Sequence, residues 1–170
     1  ALAGNGRMLA VQLGCADAKA ILMDHSLDVS SCEIACVNSP TSVVVAGPQP
    51  ELERVRGYLS TKGVKSTLLK GTTAFHCSLM DPILPDVDAR LEFLNRRKAK
   101  GSSDVTFLST VSSRPLTSVT SEYIVHNIRQ PVRFRETIDL LLRSYEPDVI
   151  LELGPHKTLA PLLSECIQAA

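Results

Sequence analysis

The chain has 170 residues, 44% hydrophobic and 21% charged, the proportions of a soluble globular protein with room for one ordinary domain or two small lobes. Its 18 lysines and arginines balance 18 aspartates and glutamates, so no global field favours nucleic acid or an anionic membrane. No apolar run is long enough to span a bilayer, no signal-peptide pattern opens the chain, and five cysteines without a C-x-x-C pair argue against a disulfide framework or a zinc site and for a reducing, cytoplasmic setting.

In chain order, Arg7–Gln12 is a short apolar run and predicts a strand. Asp17–His25 places Ala18, Ile21 and Leu22 at helical spacing. Cys32–Asn38 and Ser42–Gly47, joined by Ser39-Pro40-Thr41, predict two strands and a tight turn, with Cys32 and Cys36 as small core residues. Pro50 stands where the first turn of a helix favours it, with Glu51 and Glu53 beside it. Leu52, Val55 and Leu59 mark that helix's buried stripe, and Gly63 its stop. Val64–Leu69 is the next strand. The order β-α-β-β-α-β over residues 7–70 is that of a ferredoxin-like unit.

Further on, Val87, Leu91 and Leu94 after Pro85 predict a helix that runs into the basic Arg96-Arg97-Lys98 and the soft Lys100-Gly101-Ser102-Ser103. Phe107–Val111 reads as a strand and Glu122–Asn127 as a short helix. Phe134, Ile138, Leu141, Leu142 and Tyr145 form one amphipathic face. Val149–Leu153 reads as a buried-type strand closed by Gly154-Pro155, and Thr158–Gln168 as a last helix. This alternation predicts an α/β class, with the edge of an α/β layer following an α+β small lobe.

Thr73-Ala74-Phe75-His76-Cys77, followed by Ser78-Leu79-Met80-Asp81-Pro82, sets a histidine between a strand-like and a helical pattern. An imidazole fixed there can serve as general base for a hydroxyl nucleophile. Upstream stands Ala35-Cys36-Val37-Asn38-Ser39-Pro40-Thr41-Ser42-Val43-Val44-Val45-Ala46-Gly47. Downstream stand Asn127-Ile128-Arg129-Gln130-Pro131-Val132-Arg133-Phe134 and Glu152-Leu153-Gly154-Pro155-His156. In this order the four blocks resemble the acyltransferase domain of modular polyketide synthases and its malonyl transacylase relatives in fatty acid synthesis, from about Gly6 to Leu163.

The resemblance implies an α/β-hydrolase-like large lobe with a ferredoxin-like lobe inserted: residues 7–70 as the small subdomain, residues 71–170 as the C-terminal part of the large one. It implies a Ser–His dyad that moves a malonyl-type acyl group from acyl-CoA to the phosphopantetheine arm of an acyl carrier protein, with no bound cofactor and no metal. On this likeness His76 matches the base, and Asn127 the position whose main-chain carbonyl orients the imidazole. Phe75 stands where malonyl is told from methylmalonyl, although Thr73 departs from the commoner aromatic or histidine. Asn38 either lines the acyl channel or caps the turn at Ser39-Pro40. Arg129 and Arg133 read as substrate contacts or, more simply, as solvated side chains; His25 and His126 read as surface or helix-end residues and His156 as part of a structural turn.

One departure from the family is sharp. None of the nine glycines opens a G-x-S-x-G pentad. The nucleophile, the oxyanion donors and a carboxylate-binding arginine are therefore expected from an N-terminal half of the domain preceding Ala1, a residue that itself suggests a piece of a longer chain. The strands at Phe107–Val111 and Val149–Leu153 would then expose apolar surface. The alternative is a non-catalytic carrier-protein docking module, for which Arg54, Arg56, Lys62, Lys65 and Lys70 offer either a docking face or an ordinary solvated helix surface. An RNA-binding sheet is excluded, because Cys32–Asn38 and Ser42–Gly47 contain no aromatic residue on which bases could stack.

Overall fold

In the computed structural model, which describes residues 6–96 and 104–170, four strands make one antiparallel sheet: β1 (Arg7–Val11), β2 (Glu33–Ser39), β3 (Ser42–Gly47) and β4 (Ser66–Leu68). Their spatial order is β2-β3-β1-β4. Helices α1 (Cys15–Leu22) and α2 (Gln49–Thr61) fill the two crossovers, which completes the ferredoxin-like unit. Pro50 lies in the first turn of α2, and Gly63 follows it at φ 70°, a left-handed angle that glycine adopts freely.

Alternation along the strands decides which side chains meet the helices. Leu9 and Val11 of β1 and Val43 and Val45 of β3 bury against Leu52, Val55 and Leu59 of α2 and Ala18 of α1. Each such aliphatic contributes about 1.5–3 kcal/mol by leaving water. The other face carries Met8, Ala10, Ala35, Val44 and Ala46, and is covered by Ala74 and Cys77. Because both faces are covered, β3 reads as an unbroken apolar run. The alanines on the second face let residues 74–79 lie directly on the sheet. Gly6 is part of that fit: a Cβ there would stand 2.6 Å from Ala74 Cβ and 2.7 Å from Leu79 Cδ1.

The outer edge of β2 is not left open. The Val37 N–H donates to the Val132 carbonyl and the Val132 N–H donates to the Ala35 carbonyl, each at 2.8 Å, forming a parallel bridge between Cys36 and Val132. The downstream chain thus docks on the sheet through main-chain hydrogen bonds that an exposed edge would otherwise offer to any strand.

Beyond the sheet come a 3₁₀ segment at Ser78–Ile83, α3 (Leu84–Leu91), a second 3₁₀ segment at Glu92–Arg96, α4 (Ser121–Arg129), α5 (Phe134–Tyr145) and α6 (Ala160–Ala169). The basic and soft stretch Arg97–Ser103 lies outside the described residues. The strand expected at Phe107–Val111 ends at Ser109 as β5 (Phe107–Ser109), paired with β6 (Arg114–Leu116). The Ser109 hydroxyl accepts the Val111 N–H at 3.1 Å, which turns the chain before the apolar run is spent.

Val149–Leu153 overturns its expectation as a strand. The run belongs to none of the sheets of the described residues, and Val149, Leu151 and Leu153 are 71%, 78% and 95% exposed. Apolar composition makes a strand only where a neighbour supplies both hydrogen bonds and cover. Glu152 within this run serves α6 instead. Its carboxylate accepts the N–H groups of Thr158, Leu159 and Ala160 at 2.9, 2.8 and 3.0 Å. Those amides, Leu159 first and Thr158 next, hold the Glu152 carboxyl below its ordinary 4.5. A lowered folded-state value contributes stability above the ordinary carboxylate range and loses it as pH falls through the folded value. Glu152→Gln should therefore flatten the acid side of a melting-temperature profile; equal acid slopes in variant and parent would refute the cap.

Candidate active site

Ala74 and Cys77 fix the segment around His76 by burying against the alanine-rich face of the sheet. His76 itself is half-buried and takes φ 61°, the left-handed region that side-chain-bearing residues avoid. Such a conformation costs on the order of 1–3 kcal/mol and persists where surroundings over-determine it. Here the His76 N–H donates to the Ile128 carbonyl at 3.0 Å. The His76 Nδ1 lies 3.0 Å from the Gln130 carbonyl oxygen. A carbonyl only accepts, so Nδ1 carries the proton, and in the neutral ring Nε2 presents a lone pair. That is the tautomer a general base needs.

The orienting carbonyl therefore belongs to Gln130, not to Asn127 as the sequence suggests. Asn127 is still inside α4, where carbonyls point along the helix axis. Gln130 is the first residue past the helix, extended at φ −82° and ψ 153°, so its carbonyl turns sideways toward the imidazole. The local reason is legible in sequence: a residue before proline is driven out of the helical region, and Pro131 follows Gln130. Val132 on β2 and the Arg133 N–H on the Thr110 carbonyl (2.8 Å) hold the rest of this loop.

Arg129 is held within the chain by two carboxylates. Its Nη1 pairs with Glu33 at 3.1 Å and its Nε with Asp81 at 2.5 Å. The other oxygen of Glu33 accepts the Ser78 N–H at 2.7 Å. Burial pushes Glu33 upward, but the Ser78 amide and the Arg129 guanidinium outweigh it and leave the carboxyl below its usual range. Arg133 is occupied by Glu136 one turn along α5.

Phe75 is 46% exposed beside His76, with ring centroids 6.3 Å apart at 52°. With Met8, Leu69, Thr72 and Thr73 it lines a groove of about 190 Å³. Asn38 stands five residues along β2 from Glu33. Its carbonyl accepts the Cys166 thiol of α6 at 3.5 Å, and of the two readings of Asn38 the turn cap is taken by Ser39, whose hydroxyl accepts the Thr41 N–H at 3.2 Å and donates to Glu165.

Cys77, the other nucleophile type beside His76, faces the sheet. It is fully buried, its thiol donates to the Ala74 carbonyl at 3.2 Å, and burial raises it above the ordinary thiol range. Cys32 and Cys36 are pushed up to about 12 and about 11 for the same reason. None is poised as a thiolate. His25, His126 and His156 are exposed. The basic side chains on and near α2 are partly engaged within the chain: Arg54 donates to the Leu27 and Asp28 carbonyls at 3.1 and 2.5 Å, and Lys62 sits 5.5 Å above the Tyr58 ring. Among the described residues no three His, Cys, Asp or Glu side chains gather as metal ligands would.

Comparison with known proteins agrees over the whole chain. The family profile described as "Acyl transferase domain" matches residues 1–170. "Probable polyketide synthase 13" of Dictyostelium discoideum is 33% identical over 173 residues, covering 96% of this chain and 6% of that one. A non-reducing polyketide synthase of Pseudevernia furfuracea is 38% identical over 162 residues, covering 91% of this chain and 7% of its own. Among solved structures, the acyltransferase domain from the second module of the salinomycin polyketide synthase superposes with a TM-score of 0.83 at 28% identity, over 98% of this chain and 37% of that one. The malonyl CoA-acyl carrier protein transacylase of Clostridium perfringens shares the fold, with a TM-score of 0.82 at 22% identity, over 98% of this chain and 52% of that one. The chain thus spans a small part of the synthases and about half or less of these solved chains.

Proposed function

Since this chain belongs to the acyl transferase domain family, we propose that it supplies the general-base half of a Ser–His dyad that moves a malonyl-type acyl group from coenzyme A to the phosphopantetheine arm of an acyl carrier protein, in polyketide or fatty acid synthesis. The observation that carries this reading is the Nδ1–H of His76 on the Gln130 carbonyl, which leaves Nε2 free to take a proton. As the serine oxygen attacks the thioester carbonyl, its proton passes to Nε2; the departing coenzyme A sulfur then takes that proton. In the second half the pantetheine thiol gives its proton to Nε2 while its sulfur attacks the acyl-serine, and the serine oxygen recovers the proton on leaving. Acyl-CoA and the pantetheine arm enter as substrates.

In this reading the serine comes from outside these 170 residues, which hold no G-x-S-x-G pentad. The segment carrying it, the N-terminal half of the domain, packs over the exposed Val149–Leu153 run. Residues 7–70 act as the small subdomain and residues 71–170 as part of the large one. The proposed setting is the cytoplasm, where acyl-CoA and carrier proteins meet; no described helix is long and apolar enough to cross a membrane. The test is to incubate the intact protein with malonyl-CoA, look for a malonyl adduct on serine by mass spectrometry, and follow its transfer to a carrier protein. An adduct that passes on supports the reading. No adduct with any acyl-CoA overturns it and leaves the carrier-docking alternative.

Phe75 is proposed to set acyl choice, because a ring beside His76 leaves less room for a branch at the α-carbon. Malonyl-CoA is then preferred over methylmalonyl-CoA, and Phe75→Ser narrows the gap by about tenfold, the scale of one methyl group in an apolar pocket. Competition between the two thioesters measures it. Equal kcat/KM for both in the unaltered protein would make Phe75 a packing residue only.

A further inference from the structure

Arg129 sits in the chain between Ile128 and Gln130, the two residues whose carbonyls hold the His76 N–H and Nδ1–H. Its guanidinium leaves that loop and meets two carboxylates from different elements. One is Glu33, the first residue of β2, at 3.1 Å; the other is Asp81, in the 3₁₀ segment that follows His76, at 2.5 Å. Glu33 turns its second oxygen to the Ser78 N–H, two residues beyond His76, at 2.7 Å. One point therefore ties β2, the end of α4 and the chain that leaves His76 toward Asp81. The side chains of Arg129 and Glu33 are 24% and 33% exposed, so water screens this pair less than it screens an ordinary surface bridge. With carboxylates on Nη1 and on Nε, the guanidinium is engaged within the chain on two sides.

We infer that Glu33 and Arg129 are positioning residues that keep the Gln130 carbonyl opposite His76 Nδ1 and so hold the imidazole in its base tautomer. The contact acts on His76 without touching substrate. When it is cut, the main-chain bonds of His76 to Ile128, of Gln130 to His126 and of Val132 to β2 persist, but the Gln130 carbonyl loses the side-chain brace that sets its angle to Nδ1. The ring then samples the tautomer with the proton on Nε2, which cannot accept another. A brace with only a structural role would lower the melting temperature and leave both the tautomer and kcat alone.

The kinetic half of the test rests on the acyl-transfer reading; the spectroscopic half does not. Glu33→Gln keeps an acceptor for the Ser78 N–H while removing the charge. Arg129→Lys keeps a charge but cannot fork to two carboxylates as a guanidinium does. In the intact protein, the ring ¹⁵N shifts of His76, assigned by their loss in His76→Ala, report the tautomer without any substrate. The unaltered protein should show protonated Nδ1 and bare Nε2, and both variants a mixture. Their kcat for malonyl transfer should fall by about 10- to 100-fold, the scale of a small misplacement at a reacting group, with KM close to that of the parent. A pure Nδ1–H signal in both variants together with unchanged kcat overturns the inference, whatever their melting temperatures. If one variant fails to fold, the other decides. If the unaltered protein transfers no acyl group, the proposed function falls, and the ¹⁵N pattern still supports or overturns the brace by itself.

Discussion

His76→Ala should cut acyl transfer in the intact protein by about 10²–10⁴-fold, the usual contribution of a general base, and leave the fold in place. Both halves of this expectation come from the local geometry. The substitution removes Nε2, the group that accepts the nucleophile's proton, and removes the Nδ1–H bond to Gln130. That hydrogen bond is worth only about 0.5–1.5 kcal/mol net. The His76 main-chain bond to Ile128 is untouched, and the anchors Ala74 and Cys77 stay buried on the sheet. Circular dichroism and a melting curve close to the parent's, with malonyl-serine formation all but lost, is the expected pair of results. A variant that acylates at the parental rate would remove His76 from the chemistry.

Gly6→Ala should have the largest effect of any single methyl addition at the described glycines on the site's face of the sheet. The new Cβ would stand 2.6 Å from Ala74 Cβ, 2.7 Å from Leu79 Cδ1 and 3.2 Å from the Gly47 carbonyl. The leucine tip can swing away, but Ala74 has no rotamer to change, so its backbone must move. Overpacking of this kind costs about 1–3 kcal/mol. Ala74 is two residues before His76, so the same displacement should lower acyl transfer as well as the melting temperature. Gly57→Ala is the control. It lies on the exposed side of α2 with nothing within 4 Å of the added atom, and replacing a mid-helix glycine there should stabilise by about 0.5–1 kcal/mol. Denaturant midpoints for the two variants should move in opposite directions. A Gly6→Ala protein with parental stability and kcat would show that the segment bearing His76 is not seated against Gly6 as described.

The two glycines look alike in sequence, and that contrast runs through the whole molecule. The β-α-β-β-α-β order was legible because a strand or helix buried on a known face writes its period into its own residues. Leu52, Val55 and Leu59 mark α2 without reference to anything distant, and Pro50 and Gly63 mark its ends. His76 stood out for its place between a strand-like and a helical pattern and for the ordered blocks around it. Even the carbonyl that orients it left a trace, since Pro131 forces Gln130 out of the helix; reading the site one helical turn early, at Asn127, missed that rule.

Val149–Leu153 marks the limit of the local code. Five residues of strand-like composition cannot state whether a neighbouring strand exists, and among the described residues they pair with none, with Glu152 bent back to cap α6. The left-handed backbone of His76 is likewise a product of its surroundings, since no neighbour in the chain demands it. The site itself is assembled by contacts whose partners are 54 residues apart for His76 and Gln130, 45 for Ser78 and Glu33, and 96 for Arg129 and Glu33. Periodicity is a property of residues three or four positions apart, so it dictates the elements. Which carboxylate meets Arg129, and which carbonyl meets His76, depends on how the 74–79 segment and the α4 loop dock on the sheet, and only packing decides that.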